Sequence, residues 1–389
     1  MTVLQHARLS VTRSRIAAPR LDWLLVGPAA AIVLIGTLLV WSATASNDVL
    51  TDGNPTAYLH KHLVNIAIGL VLAAAVMATD HRWVRIVTPL VYVASVIGLL
   101  LVLVMGSTIN GSRSWLIIGG LSIQPAEFAK LAVVSMSAML VAERTENSRG
   151  RGVNAVDVGL MLAIAGVPAL LIILQPDLGT MLVLTATVFG VLAVSGVPRR
   201  WLSGLLLSGA TLAVLVVTAG VLKQYQLNRF MAFTDPALDP RGAGYNTTQA
   251  RIAIGNGGLF GRGLFDGSQT RSRFVPEQHT DFIFTVAGEE LGLVGAGVLI
   301  LLFAVVIWRA LWISRDADDM FGRVAAAGIA CWFAFQTFQN IGMCLGIMPV
   351  TGVPLPLVSY GGSSMFASMI AIGLLQNIAM RGTIASRRA

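Results

Sequence analysis

The chain carries acids, amines and amides at places where apolar sequence surrounds them. Glu127 and Lys130 lie three apart, just after Gln124-Pro125. Proline suits the first turn of a helix, an acid there meets the positive helix end, and a lysine at i+3 is within pairing reach. The pair reads as a capped helix start with a local ion pair, or as the polar wall of an outward-facing cavity. Just upstream, Asn110-Gly-Ser-Arg-Ser-Trp115 supplies a cation, Arg113, and an aromatic, Trp115, of the kind that lines membrane interfaces. In Gln175-Pro-Asp177-Leu-Gly-Thr180, Asp177 caps the next helix or faces the same cavity.

Asp281 follows His279-Thr280 at the end of a long polar segment. Thr285 and Glu289 recur at i+4 and i+8, which on a helix stacks them on one face below Asp281. Glu290 is adjacent. Two carboxylates on an apolar helix argue for a hydrated groove running inward, because an ionisable side chain at bilayer depth costs about 2.5–3.5 kcal/mol. Asp281 with Thr280 also reads as a plain helix cap. The preceding segment, 223–281, is too long for a connector. Its glycines at Gly255, Gly257, Gly258, Gly261 and Gly263 let backbone approach a ligand, though no lysine follows in phosphate-loop spacing. Arg251, Arg262, Arg271 and Arg273 meet either phosphate or lipid headgroups. Last, Met348 to Ser364 holds three prolines and three glycines. One continuous helix is excluded there, and an apolar irregular segment at this depth must be buried or line a cavity.

These residues need a membrane scaffold. Of 389 residues 55% are apolar and only 12% charged, with a mean hydropathy of +0.76, which leaves too little polar surface for a soluble globule or a disordered chain. Ten spans are expected, at about 23–43, 62–79, 84–105, 126–143, 157–174, 179–196, 201–222, 282–308, 322–346 and 359–380. With the N-terminus inside, 17 lysines and arginines fall on inner segments and only Lys61 and Arg113 on short outer loops. Both termini are therefore expected in the cytoplasm, with 223–281 outside. The expected organisation is a basic tail (1–22), one polytopic all-α domain (23–380) and a short tail (381–389). The net charge of +8 is spread over loops, which argues against nucleic acid. Cys331 and Cys344 form no disulfide framework and read as small buried hydrophobes.

Together these segments resemble the SEDS family of shape, elongation, division and sporulation proteins over nearly the whole chain. The resemblance is specific at Gln175–Thr180, at Pro276-Glu-Gln-His-Thr-Asp-Phe-Ile-Phe284 through Gly288-Glu-Glu-Leu-Gly292, and at Pro354-Leu-Pro-Leu-Val-Ser359-Tyr-Gly-Gly-Ser-Ser364. Pro354 and Gly267-Ser-Gln-Thr270 are similar to the elongation branch. Ser268 stands where that branch often has Thr, and Ala126 where the family commonly has Ser. The resemblance implies ten spans in the plasma membrane and a peptidoglycan glycosyltransferase. Such enzymes polymerise lipid II, the undecaprenyl-diphosphate-linked disaccharide-pentapeptide, on the outer face. The partner implied is a class B penicillin-binding protein. Asp281 matches the family's essential loop aspartate, Glu127 and Lys130 its acid–lysine pair, and Arg113 and Trp115 its loop arginine and tryptophan.

The reaction needs a base for the attacking hydroxyl and positive charge for the departing diphosphate. Asp281 is the candidate for base or for ligand of a divalent cation (Mg²⁺ or Mn²⁺). No organic cofactor is expected. Arg113, Trp115, Glu127, Lys130, Asp177, Glu289 and Ser359 are the candidate substrate-binding residues. The rival readings are a lipid II flippase, a division or sporulation member of the same family, and a non-catalytic scaffold. Polar residues gathered on the outer face favour the enzyme over a flippase, which needs a groove to the inner face.

Overall fold

The computed structural model describes residues 21–385, apart from 52, 110–111, 119–120, 148–152, 221–223 and 241. Most of the basic N-terminal tail and the end of the C-terminal tail lie outside the described residues, as do Lys223, Arg241, Arg149 and Arg151.

Helices dominate. In chain order they are α1 (Trp23–Ala45), α2 (Asp48–Thr51), α3 (Ala57–Ala78), α4 (His81–Met105), α5 (Pro125–Asn147), α6 (Ala155–Leu174), α7 (Leu178–Val194) and α8 (Arg199–Thr218). Then come α9 (Gln224–Thr234), α10 (Ala243–Asn256), α11 (Ser268–Ser272), α12 (Ile283–Glu290), α13 (Gly292–Asp316), α14 (Met320–Leu345) and α15 (Gly362–Ala385). The ten long ones correspond to the ten expected spans. Among the described residues, seven are long and apolar enough to cross a membrane: α1, α3, α4, α5, α6, α13 and α15. The protein is an all-α, multi-pass membrane protein.

Local chemistry sets the helix ends. Asp22 caps α1, accepts a hydrogen bond of 2.6 Å from Arg309 Nε of α13 and forms an ion pair with the same guanidinium, while its own N–H donates to Gln376 of α15. Asn154 and Asp157 form a reciprocal capping box on α6, and Arg144 of α5 pairs with Asp157 at 3.1 Å. Helix α14 is the central element, packed by α5, α7 and α13. Its Gly328 lies against Val134 and Val191, where a side chain would not fit.

Three features differ from the sequence expectations. Three short antiparallel strands follow α4, β1 (Ser107–Ile109), β2 (Ser112–Ile118) and β3 (Leu121–Ile123), in which Trp115 opposes Ser107. Within the long segment 224–281, about half of the residues lie in the short helices α9, α10 and α11. The expected eighth span is broken at Leu291 and Gly292, where Gly292 has φ +67°. The glycine segment 257–263 causes the break. N–H groups of Arg262 and Gly263 donate to the carbonyls of Glu289 and Glu290, and those of Leu293 and Val294 donate to Gly258 and Leu259. The end groups of both helices are thus satisfied by one loop. A Cβ at Gly257 or Gly261 would overlap the carbonyls of Gly288 and Glu290. These glycines admit protein backbone, not a phosphate.

Candidate active site

Asp281 sits between the turn 276–282 and the irregular segment 346–361. It lies outside α12, whose N-cap is Phe282 with no side-chain capping bond, so the aspartate is not a helix cap. Its backbone carbonyl accepts 2.7 Å from Asn340 Nδ2, which also donates to Val353 O at 2.7 Å. One residue earlier, Thr280 O accepts from Ser359 Oγ at 2.6 Å. Ser359 Oγ in turn accepts from Leu355 N–H. The backbone around Asp281 is therefore clamped by α14 and by the proline-rich segment. The Asp281 carboxylate itself takes no hydrogen bond from the described residues and is partly exposed. Gly352, at φ +69°, leaves space beside it; a Cβ there would stand 3.2 Å from Asp281 Oδ2.

Burial lifts the Asp281 carboxyl to about 7, the nearby Glu277 carboxylate adds to the rise, and the Arg229 guanidinium opposes it. An acid that titrates near neutrality is suited to general base work. Glu277 holds the turn as well: its carbonyl accepts from Thr280 and Phe282 N–H, and it is a non-glycine residue at φ +52°. Asp177 caps α7 through Thr180 N (3.0 Å) and Thr180 Oγ1 (2.8 Å) and accepts from Gln124 Nε2 at 3.2 Å. Burial raises its carboxyl too.

Lys130 and Glu127 form an ion pair of 2.8 Å with side chains 0% and 1% exposed. Lys130 Nζ also donates to Gln336 Oε1 at 2.6 Å and lies 5.0 Å from the centre of the Trp332 ring. Trp332 Nε1 donates to the same Gln336 oxygen, and Gln336 Nε2 donates to Pro354 O at 2.8 Å. The expected open polar wall is therefore closed over by α14. The pair instead heads a polar chain from α5 to the proline-rich segment that clamps Asp281.

Arg113 reaches back to the end of α4, donating through Nε to Gly106 O (2.8 Å) and Nη2 to Val104 O (2.7 Å). Cations complement a helix C-terminus in this way. Its guanidinium is exposed and keeps further donors for an anion. Trp115 is half-buried in β2. The face shared by Asp281, Thr285 and Glu289 is not formed, because Asp281 precedes the helix. Glu289 is fully buried and accepts from Gln269 N, Thr270 N and Thr270 Oγ1 at 2.8–2.9 Å, so it caps α11. Glu290 accepts 2.6 Å from Ser42 Oγ. Neither lines an open groove. Of the four loop arginines, Arg262 and Arg273 donate to the carbonyls of Asn256 and Ser46, and Arg271 stands 3.9 Å from Asp266.

Sequence reasoning missed Arg229, Glu277, Asn340 and Gly352 as neighbours of Asp281. Only Glu277 had a sequence signal, four residues away. Among the described residues, no three His, Cys, Asp or Glu side chains gather as a metal site. A cation held there would rest on one or two carboxylates plus oxygens of a bound diphosphate, a mode magnesium commonly adopts.

A multi-pass helical membrane bundle that clamps the backbone on both sides of one partly exposed carboxylate, Asp281, has the layout of a membrane enzyme. The chain belongs to the cell cycle protein family of FtsW, RodA and SpoVE, whose description matches residues 22–383. It is 38% identical over 355 residues to "Peptidoglycan glycosyltransferase MrdB" of Escherichia coli K12, covering 90% of each chain. It is similar to a chain from "Structural coordination of polymerization and crosslinking by a peptidoglycan synthase complex". That match has a TM-score of 0.77 and 33% identity, over 93% of this chain and 98% of the other. The crystal structure of the Thermus thermophilus rod shape determining protein RodA matches at a TM-score of 0.67 and 31% identity, over 92% and 96%.

Proposed function

We propose that this protein is a peptidoglycan glycosyltransferase that polymerises lipid II on the outer face of the plasma membrane, in cell elongation and cell-shape maintenance. The carrying observation is Asp281: a partly exposed carboxylate that takes no hydrogen bond from the described residues, is raised by burial to about 7, and is clamped on both sides. Family membership and the name of the Escherichia coli relative support the reaction class.

In the proposed reaction a sugar hydroxyl of the incoming lipid II attacks the anomeric carbon of the lipid-linked glycan. The hydroxyl proton passes to Asp281, the new C–O bond forms, and the bond to the diphosphate breaks with its electron pair on the leaving oxygen. Inversion at that carbon requires one displacement and no sugar–enzyme bond. A base so placed contributes about 10²–10⁴ in rate. Arg229 favours the ionised form of Asp281, and the donors Arg113 does not spend on α4 meet the diphosphate, with Trp115 beside it. Glu127, Lys130, Asp177 and Ser359 act by holding the segments around Asp281, and Glu289 by holding α11. A divalent cation at Asp281, when bound, supplies further positive charge to the diphosphate.

The partner is the transmembrane helix of a class B penicillin-binding protein, packed along α13 and α14 with one or two of its apolar side chains in a groove of 250 Å³ between them. Phe303, Ala304, Ala334, Phe338 and Gly342 are among its lining residues. The similar chain from a peptidoglycan synthase complex, in which polymerisation and crosslinking are coordinated, supports this. Gly322 and Gly328 pack within the chain, whereas Gly297, on α13, faces open space. The testing experiment is glycan synthesis from lipid II by the purified protein, with and without its partner. Long glycan products support the enzyme; lipid II transport without polymer supports the flippase.

A further inference from the structure

We propose that Tyr58, His279 and Tyr360 form a stacking platform for a pyranose ring of the lipid-linked substrate, with Lys61 receiving the diphosphate beneath it. The inference rests on the function proposed above and names the part of the site that reads the sugar.

The three rings meet where the outer end of α3 touches the segment carrying Asp281. The Tyr58 ring centre lies 4.9 Å from that of Tyr360 and 5.4 Å from that of His279, and His279 and Tyr360 are 5.8 Å apart. Tyr360 N–H donates to His279 O at 2.9 Å, so the cluster is fixed two residues from Asp281. Rings that served only as core would be enclosed by apolar side chains. All three are half-buried instead, at a polar edge of the bundle. Aromatic faces carry partial negative charge and match the C–H faces of a pyranose.

Lys61 supplies the complementary charge. It is exposed, and its Nζ lies 5.1 Å from the centre of the Tyr58 ring. It follows Tyr58 at i+3 on α3, hence on the same face and about 4.5 Å further along the helix. With 223–281 outside, α3 runs inward from Tyr58, so the cation stands deeper than the rings. Exposed Val64 and Ile68 continue inward on that helix. The order of aromatic, cation and apolar surface matches sugar, diphosphate and polyprenyl tail. Below Tyr360, at 6.0 Å, the His62 ring is fully buried and neither of its nitrogens has a hydrogen-bond partner among the described residues. A buried polar group left in this way needs a water or a ligand hydroxyl.

The test is binding of two probes, lipid II and undecaprenyl diphosphate, to the full-length protein in lipid nanodiscs, together with polymerisation kinetics. Tyr58→Ala is expected to weaken lipid II binding about tenfold, the loss of one good ring contact. It should leave undecaprenyl diphosphate unaffected and raise KM with little change in kcat. Tyr58→Phe should behave as the wild type. Lys61→Gln, at an exposed position that the fold does not need, should weaken both probes several-fold. Lipid II affinity within twofold of wild type in Tyr58→Ala, equal loss of both probes there, or no effect of Lys61→Gln would each overturn the platform. If the wild type binds neither probe, the proposed function itself fails; if it binds and polymerises while the variants are indifferent, only the platform fails.

Discussion

Replacing Lys130 by methionine keeps the length and apolar volume of the side chain and removes its charge. At 2.8 Å the attraction to Glu127 is about 6 kcal/mol at an effective dielectric constant near 20, before the cost of taking both charges out of water. What remains measurable on losing one partner of such a pair is about 3–5 kcal/mol, because the other charge is left buried and alone. Glu127 is that residue, and one of its oxygens already lacks a hydrogen-bond partner among the described residues. Lys130→Met should therefore lower the unfolding temperature strongly and reduce polymerisation. Removing both charges, as Lys130→Met with Glu127→Leu, abolishes the stranded acid. The double variant should be more stable than the single one and regain most of its activity. The assay is thermal unfolding of all four members of the cycle in one detergent, with glycan synthesis measured on each. A double variant as stable as wild type yet inactive would refute the reasoning, since Lys130 would then act on the substrate rather than through Gln336 and Pro354.

The pH dependence follows from Asp281. A base must be ionised, so polymerisation should rise as pH rises through about 7. Arg229→Gln should move that limb to higher pH and Glu277→Gln to lower pH; rate profiles that shift the other way contradict the assignment. Gly352→Ala places a side chain at φ +69°, at a cost of about 1–2 kcal/mol, and crowds the Asp281 carboxylate. Slower turnover in a folded protein is the expected outcome, and a wild-type kcat would exclude close packing there. Ala334→Trp fills the groove between α13 and α14, and should reduce co-purification of the class B partner without unfolding the chain; undiminished recovery of the partner would place that interface elsewhere.

Much of this architecture is legible in the residues. Seven of the ten long helices follow directly from length and hydropathy, and the 348–361 segment follows its prolines. The Glu127–Lys130 pair and the Asp177 cap follow from i+3 spacing, which needs no tertiary knowledge. What escapes is set by contacts between distant segments. The strands β1, β2 and β3 are too short to announce themselves beside long apolar runs. Helix α10 is mostly polar and small, so it carries no strong periodic stripe. The Asp281–Glu289 face fails because Asp281 falls in the turn before α12, where the distant Asn340 and Ser359 hold the backbone, and Glu289 is taken up by α11. Arg229 comes near enough to act on Asp281 only through folding of the segment 224–281. The enclosure of Lys130 depends on Trp332 and Gln336, two hundred residues away.

The catalytic role of Asp281 stands or falls on lipid II polymerisation by Asp281→Asn, at matched protein level and with its partner present. Asparagine preserves the shape of the side chain and removes its basicity. Burial raises the folded-state pKa of Asp281 above its ordinary value of 3.8, so the folded protein binds that proton more tightly than the unfolded chain. Ionisation of Asp281 therefore weakens the fold as pH rises from about 4 to about 7. Asp281→Asn should be at least as stable as wild type above that window, and unfolding does not explain a loss of activity there. Polymerisation is predicted to fall by about 100-fold or more. Glycan synthesis near the wild-type rate would contradict the assignment of Asp281 as the base.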